Sequence, residues 1–220
     1  MPDKLPFHVL LLRHGQTDAN ATGVLQGHQP TPLNALGHEQ AKRLARRVAR
    51  HRPPVGALIS SDLKRAAQTA DAVAAACGLA PVYETAWRER GFGALEGKVV
   101  GEREIWRAAH GDTSPPGGES VETFRARVRG ALEDTERRYG HLPAVAVVTH
   151  GGPIGFIVKM LADGTLPRAA GASSIAPFSA PNCSVLELIR EHTPAGPAWR
   201  VGCFNDVAHL DGLVTETDSG

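Results

Sequence analysis

The chain has 220 residues, 42% of them apolar and 21% charged, with a formal net charge of +1. That length suits one domain with ample material for a core, and the even charge balance excludes a global pull toward nucleic acid or an anionic membrane surface. Cys77, Cys183 and Cys203 are odd in number and widely spaced, which excludes a disulfide framework or a CxxC-type zinc site and predicts reduced thiols in a cytoplasmic protein.

Phe7 to Leu12 (FHVLLL) is a continuous apolar run. It predicts a strand buried on both faces that ends in the polar stretch RHGQTDAN. It is too short for the apolar segment of a signal peptide, and no stretch is long and apolar enough to span a bilayer. Gly23 to Gly37 is turn-rich. Gly37 to Arg50 predicts a helix, with Ala41, Leu44, Ala45 and Val48 on one face. Val55 to Ser60 predicts a second buried strand. Leu63 to Ala76 is alanine-rich and predicts a helix, capped by either Ser61 or Asp62.

Val82 and Tyr83 begin a short strand leading to Glu89. Gly91 to Gly118 predicts a small irregular cap, with a helix near Glu102 to Ala109. Glu119 to Arg138 predicts a long helix capped by Ser120. Ala144 to Thr149 (AVAVVT) is the clearest strand; it stops at His150-Gly151-Gly152, and a helix from Ile154 to Leu161 follows. Ser184 to Ile189 predicts another strand and Trp199 to Phe204 an edge strand. Gly164 to Pro181 carries no clear pattern, and the polar tail after Asp211 is expected to fray. Strands alternating with helices predict a single α/β domain with a mostly parallel central sheet and helices on both faces.

Three of these strands end in polar clusters: Arg13-His14-Gly15, Ser60-Ser61-Asp62 leading to Arg65, and His150-Gly151-Gly152. Ligands of open α/β sheets bind at the carboxyl ends of the strands, so these groups can meet in one pocket. Two arginines, two histidines and accessible backbone N–H groups make an anion site. Guanidinium forks match phosphate oxygens, and a helix starting at the two glycines adds oriented donors. Phosphoryl transfer needs its equatorial oxygens stabilised and a nucleophile in line. A neutral imidazole meets the second need, and neighbouring arginines disfavour its protonation. Each residue also has a plain structural reading: Arg65 as surface charge, His150 as a loop histidine, Glu89 as half of an ion pair with Arg88 or Arg90. Their shared position at strand ends favours the functional one.

The stretch from Leu12 to Asn20, together with Leu25-Gln26-Gly27, the Ser60 to Ala70 block, Glu89, Pro116 to Ser120, Thr149 to Gly152 and Pro181 to Ser184, resembles the histidine phosphatase (phosphoglycerate-mutase-like) superfamily. The match runs in order through most of the chain. The resemblance implies that His14 is phosphorylated during turnover. It implies that Arg13, Arg65 and His150 bind the transferring phosphoryl group, and that Glu89 is the general acid and then base. Asn20, Gln26, Gly27 and the Gly151 N–H would line the substrate side. No metal and no cofactor are expected. The chain departs from many members in carrying Gln16 in place of glutamate.

The stretch from Gly91 to Pro115 is short, with Lys98, Arg103 and Arg107 its only cations. This favours a phosphomonoesterase of the histidine acid phosphatase type over a mutase acting on phosphoglycerate, with an idle phosphate-binding module as the reading from another class. Phe92 and Trp106 on the rim suggest a small phosphorylated metabolite with an apolar or sugar body. A homodimer is a family-level expectation.

Overall fold

In the computed structural model, which describes residues 6–111, 113–169 and 180–213, six strands form one sheet. In chain order the elements are β1 (Phe7–Arg13), α1 (Asp18–Ala21), α2 (Ala35–Ala49), β2 (Ala57–Ser60), α3 (Lys64–Cys77), β3 (Pro81–Tyr83), α4 (Val100–His110), α5 (Val121–Tyr139), β4 (Ala144–Thr149), α6 (Gly151–Ala162), β5 (Val185–Thr193) and β6 (Gly196–Asp206). The strand order is β3-β2-β4-β1-β5-β6. The first four strands in that order run parallel; β5 pairs antiparallel with β1, and β6 antiparallel with β5. This is the mostly parallel α/β sheet read from the sequence.

The strand side chains divide between two cores. Val9, Leu11, Val145 and Val147 pack with Phe124, Val128 and Leu132 of α5 and Ile154 and Ile157 of α6. Leu10, Leu12, Ala146 and Val148 face Leu44, Ala45 and Val48 of α2 and Ala66, Ala70 and Val73 of α3. Burial on both faces explains why β1 and β4 read as unbroken apolar runs rather than alternating ones.

α2 follows β1 onto one face, whereas α6 follows β4 onto the other. β1 and β4 are neighbours in register, with Arg13 opposite Thr149. The chain therefore opens a crevice at their carboxyl ends, the switch point where ligands of such sheets sit.

Several local expectations need correction. Neither Ser61 nor Asp62 caps α3; its N-cap is Leu63, without a side-chain hydrogen bond. Asp62 instead takes two hydrogen bonds from Arg88, at 2.6 and 2.5 Å, and the Ser61 hydroxyl is turned toward His150. A charged and a buried partner outcompete a local cap. α6 begins at Gly151, three residues earlier than its apolar pattern starts, because Pro153 falls in the first turn, where its missing N–H costs nothing. The strands at the antiparallel end run on to Thr193 and Asp206 as a hairpin. The cap segment is more regular than expected. It holds a 3-10 turn at Gly93–Leu95 and the exposed helix α4, gathered on a small cluster of Leu25, Phe92 and Leu95. Most of the tail after Asp211 lies outside the described residues. Among the described residues, no helix is long and apolar enough to cross a membrane.

Candidate active site

β1 delivers His14 directly into the crevice, where it is 3% exposed. Its backbone N–H donates to the Thr149 carbonyl at the end of the neighbouring strand β4, at 3.0 Å. The ring is held from both sides. Nδ1 lies 2.7 Å from the Gly15 carbonyl, which can only accept, so Nδ1 carries the hydrogen. Nε2 accepts from Arg65 Nε at 3.2 Å. The lone pair of the neutral ring is therefore on Nε2 and faces the crevice. Burial, followed by the charges of Arg65 and Arg13, holds the His14 pKa well below the usual histidine value.

Arg65 sits in the first turn of α3 and is almost fully buried. Its other nitrogens donate to the Gln29 carbonyl at 3.2 Å and the Gly27 carbonyl at 2.9 Å. Desolvation lowers its pKa to about 10, which leaves it charged at neutral pH. Arg13 Nη1 donates to the Ala180 carbonyl, and its guanidinium lies over Gly151.

His150 follows β4 and stacks edge-on against His14, ring centroids 5.0 Å apart. Its Nε2 meets the Ser61 hydroxyl at 2.8 Å, and that hydroxyl also accepts from Leu63 N–H at 3.3 Å. With the hydroxyl donating, the ring proton sits on Nδ1, which has no hydrogen-bond partner among the described residues. The pKa of His150 is likewise held well below the usual value, by burial and then by Arg65.

Glu89 reaches the crevice from the loop after β3. One carboxylate oxygen accepts from Arg90 N–H at 2.8 Å, and the other from Gly152 N–H at 3.0 Å, in the first turn of α6. A Cβ on residue 152 would lie 1.9 Å from Glu89 Oε1, so the second glycine makes room for the acid. Asn20 Oδ1 accepts from the Thr17 backbone N–H at 3.2 Å and from Asn182 Nδ2, whose amide also donates to the His14 carbonyl. Gln26 accepts from the Thr17 hydroxyl at 3.0 Å.

Arg13, His14, Asn20, Gln26, Gly27, Arg65, Glu89 and Gly151 all line one cavity of about 550 Å³. His150 is fully buried and edge-on to His14, and it is not among the residues that line this cavity; its Nδ1–H, without a partner among the described residues, is the contact it has left to offer a group bound on His14. Phe92, Arg103, Phe156 and Lys159 form the outer part, and Trp106 and Arg107 line an adjoining cavity. Lys98, the other cation of the 91–115 stretch, lines neither. Gln16 does not reach the pocket. It accepts from Asn34 Nδ2 at 2.9 Å and anchors the start of α2.

Sequence reading missed Arg127 of α5. Its guanidinium donates to the carbonyls of Ala86, Arg88 and Glu89 at 2.9, 2.9 and 3.2 Å, and pairs with Glu119 at 2.7 Å. It holds the backbone that carries the acid. An arginine on a helix is ordinarily surface charge, so no local signal marks it.

Comparison with known proteins fits this geometry. The sequence profile of the histidine phosphatase superfamily, branch 1, matches residues 9–200. The probable phosphoglycerate mutase GpmB of Photorhabdus laumondii is 32% identical, with 93% of this chain and 95% of that one covered. The structure of the mycobacterial glucosyl-3-phosphoglycerate phosphatase in complex with VO3 superposes with a TM-score of 0.73 at 27% identity, covering 90% of this chain and 98% of the other. A phosphoglycerate mutase from Bacillus anthracis shares the fold, with a TM-score of 0.76 at 22% identity and 94% and 96% coverage.

Proposed function

The chain belongs to the histidine phosphatase superfamily, and from that premise we propose that it hydrolyses small phosphomonoesters through a phosphohistidine on Nε2 of His14. The observation that carries this reading is the orientation of His14, with its hydrogen fixed on Nδ1 by Gly15 and its lone pair presented from Nε2.

In the first step Nε2 attacks phosphorus as the ester P–O bond breaks, and the proton of Glu89 goes to the departing oxygen. Arg13, Arg65 and the Nδ1–H of His150 meet the charge on the equatorial oxygens, and the N–H groups at the start of α6 add to this field. In the second step the Glu89 carboxylate takes a proton from water. The resulting hydroxide attacks phosphorus and the P–N bond breaks, which restores the neutral ring and releases phosphate.

Asn20, Gln26 and Gly27 face the substrate body. The Phe92 and Phe156 walls, with Arg103 and Lys159 in the same lining, suit a monophosphate whose body is apolar or sugar-like.

The test is phosphate release from an aryl phosphate with a chelator present. Wild type should turn over and His14→Ala should be inactive. Glu89→Gln should lose far less on this good leaving group than on an alkyl phosphate, because only the poor leaving group needs the acid. An inert wild type sinks the phosphatase reading. The name of the Photorhabdus relative supports a second reading, transfer of the phosphoryl group between hydroxyls of phosphoglycerate. Isomerisation dependent on a bisphosphate primer, exceeding hydrolysis, would establish that one instead.

A further inference from the structure

The end of the sheet remote from His14 holds a second cluster of chemistry-bearing groups. His8 opens β1, His51 follows the C-terminus of α2, and Glu187 comes from β5. His8 is six residues before His14 on an extended strand, about 20 Å away. His8 Nδ1 lies 2.8 Å, and His51 Nε2 2.9 Å, from the same oxygen, Glu187 Oε1. All three donor atoms lie within 4.8 Å of one another. The other carboxylate oxygen is seated over Gly202, where a Cβ would come within 2.5 Å of it; the absence of a side chain there gives Glu187 its place.

His51 makes the cluster unusual. Its Nδ1 is 2.7 Å from the Pro53 carbonyl. That oxygen only accepts, so Nδ1 carries the hydrogen and the lone pair of a neutral ring is on Nε2. Nε2, however, also faces an acceptor, the Glu187 carboxylate. A neutral imidazole cannot satisfy both contacts, so a positive species must lie between Nε2 and the oxygen. A backbone carbonyl fixing Nδ1–H is also the arrangement that orients a metal-ligating histidine through Nε2.

We propose that His8 Nδ1, His51 Nε2 and Glu187 Oε1 form a structural binding site for a divalent ion of the zinc class, separate from the phosphate pocket. Two imidazoles and a carboxylate are a donor set that zinc accepts, with a fourth position left for water. His51 is only 6% exposed, but His8 and Glu187 each keep about 15% of their side-chain surface, which provides an entry path and room for that water. A tetrahedral ion with bonds near 2.1 Å spaces its ligands by about 3.4 Å, so each ring nitrogen, now 2.8 and 2.9 Å from Glu187 Oε1, would draw back from that oxygen by about half an ångström. Such an ion ties the start of β1, the end of α2 and β5 together. A second proton on His51 is the competing way to satisfy both acceptors, and the experiment separates the two.

Tag-free protein is incubated with Zn²⁺, passed through a desalting column and assayed for metal per chain, in wild type, His14→Ala, His8→Gln, His51→Gln and Glu187→Gln. The site predicts one Zn²⁺ per chain in wild type and in His14→Ala, which removes the pocket imidazole as a source. It predicts an affinity loss of at least about tenfold in each of the other three. It also predicts a melting temperature that Zn²⁺ raises in wild type but not in His8→Gln, whose partly exposed position keeps that variant folded. Substituting Co²⁺ should give absorption bands of a four- or five-coordinate nitrogen–oxygen site. No retained metal in wild type overturns the proposal and leaves the proton-linked trio. Retention unchanged in His8→Gln and Glu187→Gln also overturns it.

Discussion

His14 donates from Nδ1 to the Gly15 carbonyl and accepts at Nε2 from Arg65, so its tautomer is set by two neighbours before any substrate arrives. In the proposed phosphoryl transfer, preorganisation of this kind removes a reorientation step. Arg127 does comparable work for Glu89 without touching the cavity. It should act as a positioning residue: Arg127→Ala is expected to lower kcat on an alkyl phosphate about 10- to 100-fold, with little change in KM and a smaller loss on an aryl phosphate. A uniform loss on both substrates would mark damage to the fold instead. Gly152→Ala makes the complementary point. The alanine Cβ would collide with Glu89 Oε1 and crowd Phe124. The variant should therefore displace the Glu89 carboxylate and lose at least about tenfold in kcat on a poor leaving group, by steady-state assay, with a smaller loss on an aryl phosphate.

The elements place these residues through close backbone contact. The turn after β1 packs against the first turn of α2, where a Cβ on Gly37 would lie 2.0 Å from the Gln16 carbonyl oxygen. Backbone cannot yield as a side-chain tip can, so Gly37→Ala should destabilise the protein by about 1–3 kcal/mol, read as a shift in the denaturation midpoint. The same substitution should disturb the Gly15 carbonyl that sets the His14 tautomer. α3 shows how a site reshapes an element. Its cap position is Leu63, because Asp62 and Ser61 are drawn to Arg88 and His150. α5 shows the opposite, with Ser120 capping it through Thr123 N–H as its sequence signal promises.

For the whole molecule, burying neutral imidazoles couples the site to stability. His14 and His150 both have pKa values pushed well below the ordinary 6.5, chiefly by burial. In the unfolded chain both take up protons as pH falls through about 6.5, whereas in the folded protein they do not. The unfolded state then binds more protons, so stability falls as pH drops below about 6.5 and is regained above it. Urea midpoints measured at pH 7.5 and 5.5 should show this loss, and His150→Asn should flatten it. An unchanged pH dependence in that variant would show that His150 titrates in the folded state.

The apolar runs Phe7 to Leu12 and Ala144 to Thr149, the alanine-rich helix and the serine before α5 determined the α/β order by themselves, since periodicity and capping are local. That His14, Arg65, Glu89 and His150 gather at one crevice was legible too, because strand ends and family motifs mark them. What only the tertiary structure decided are contacts between distant segments. They are the clamp of Arg127 on the Glu89 loop, the seat of the Glu89 carboxylate over Gly152, and the meeting of His8, His51 and Glu187. None has a local signal, because each depends on which chain segments the sheet order makes neighbours, and a side chain's partners across that gap are set by packing rather than by sequence spacing.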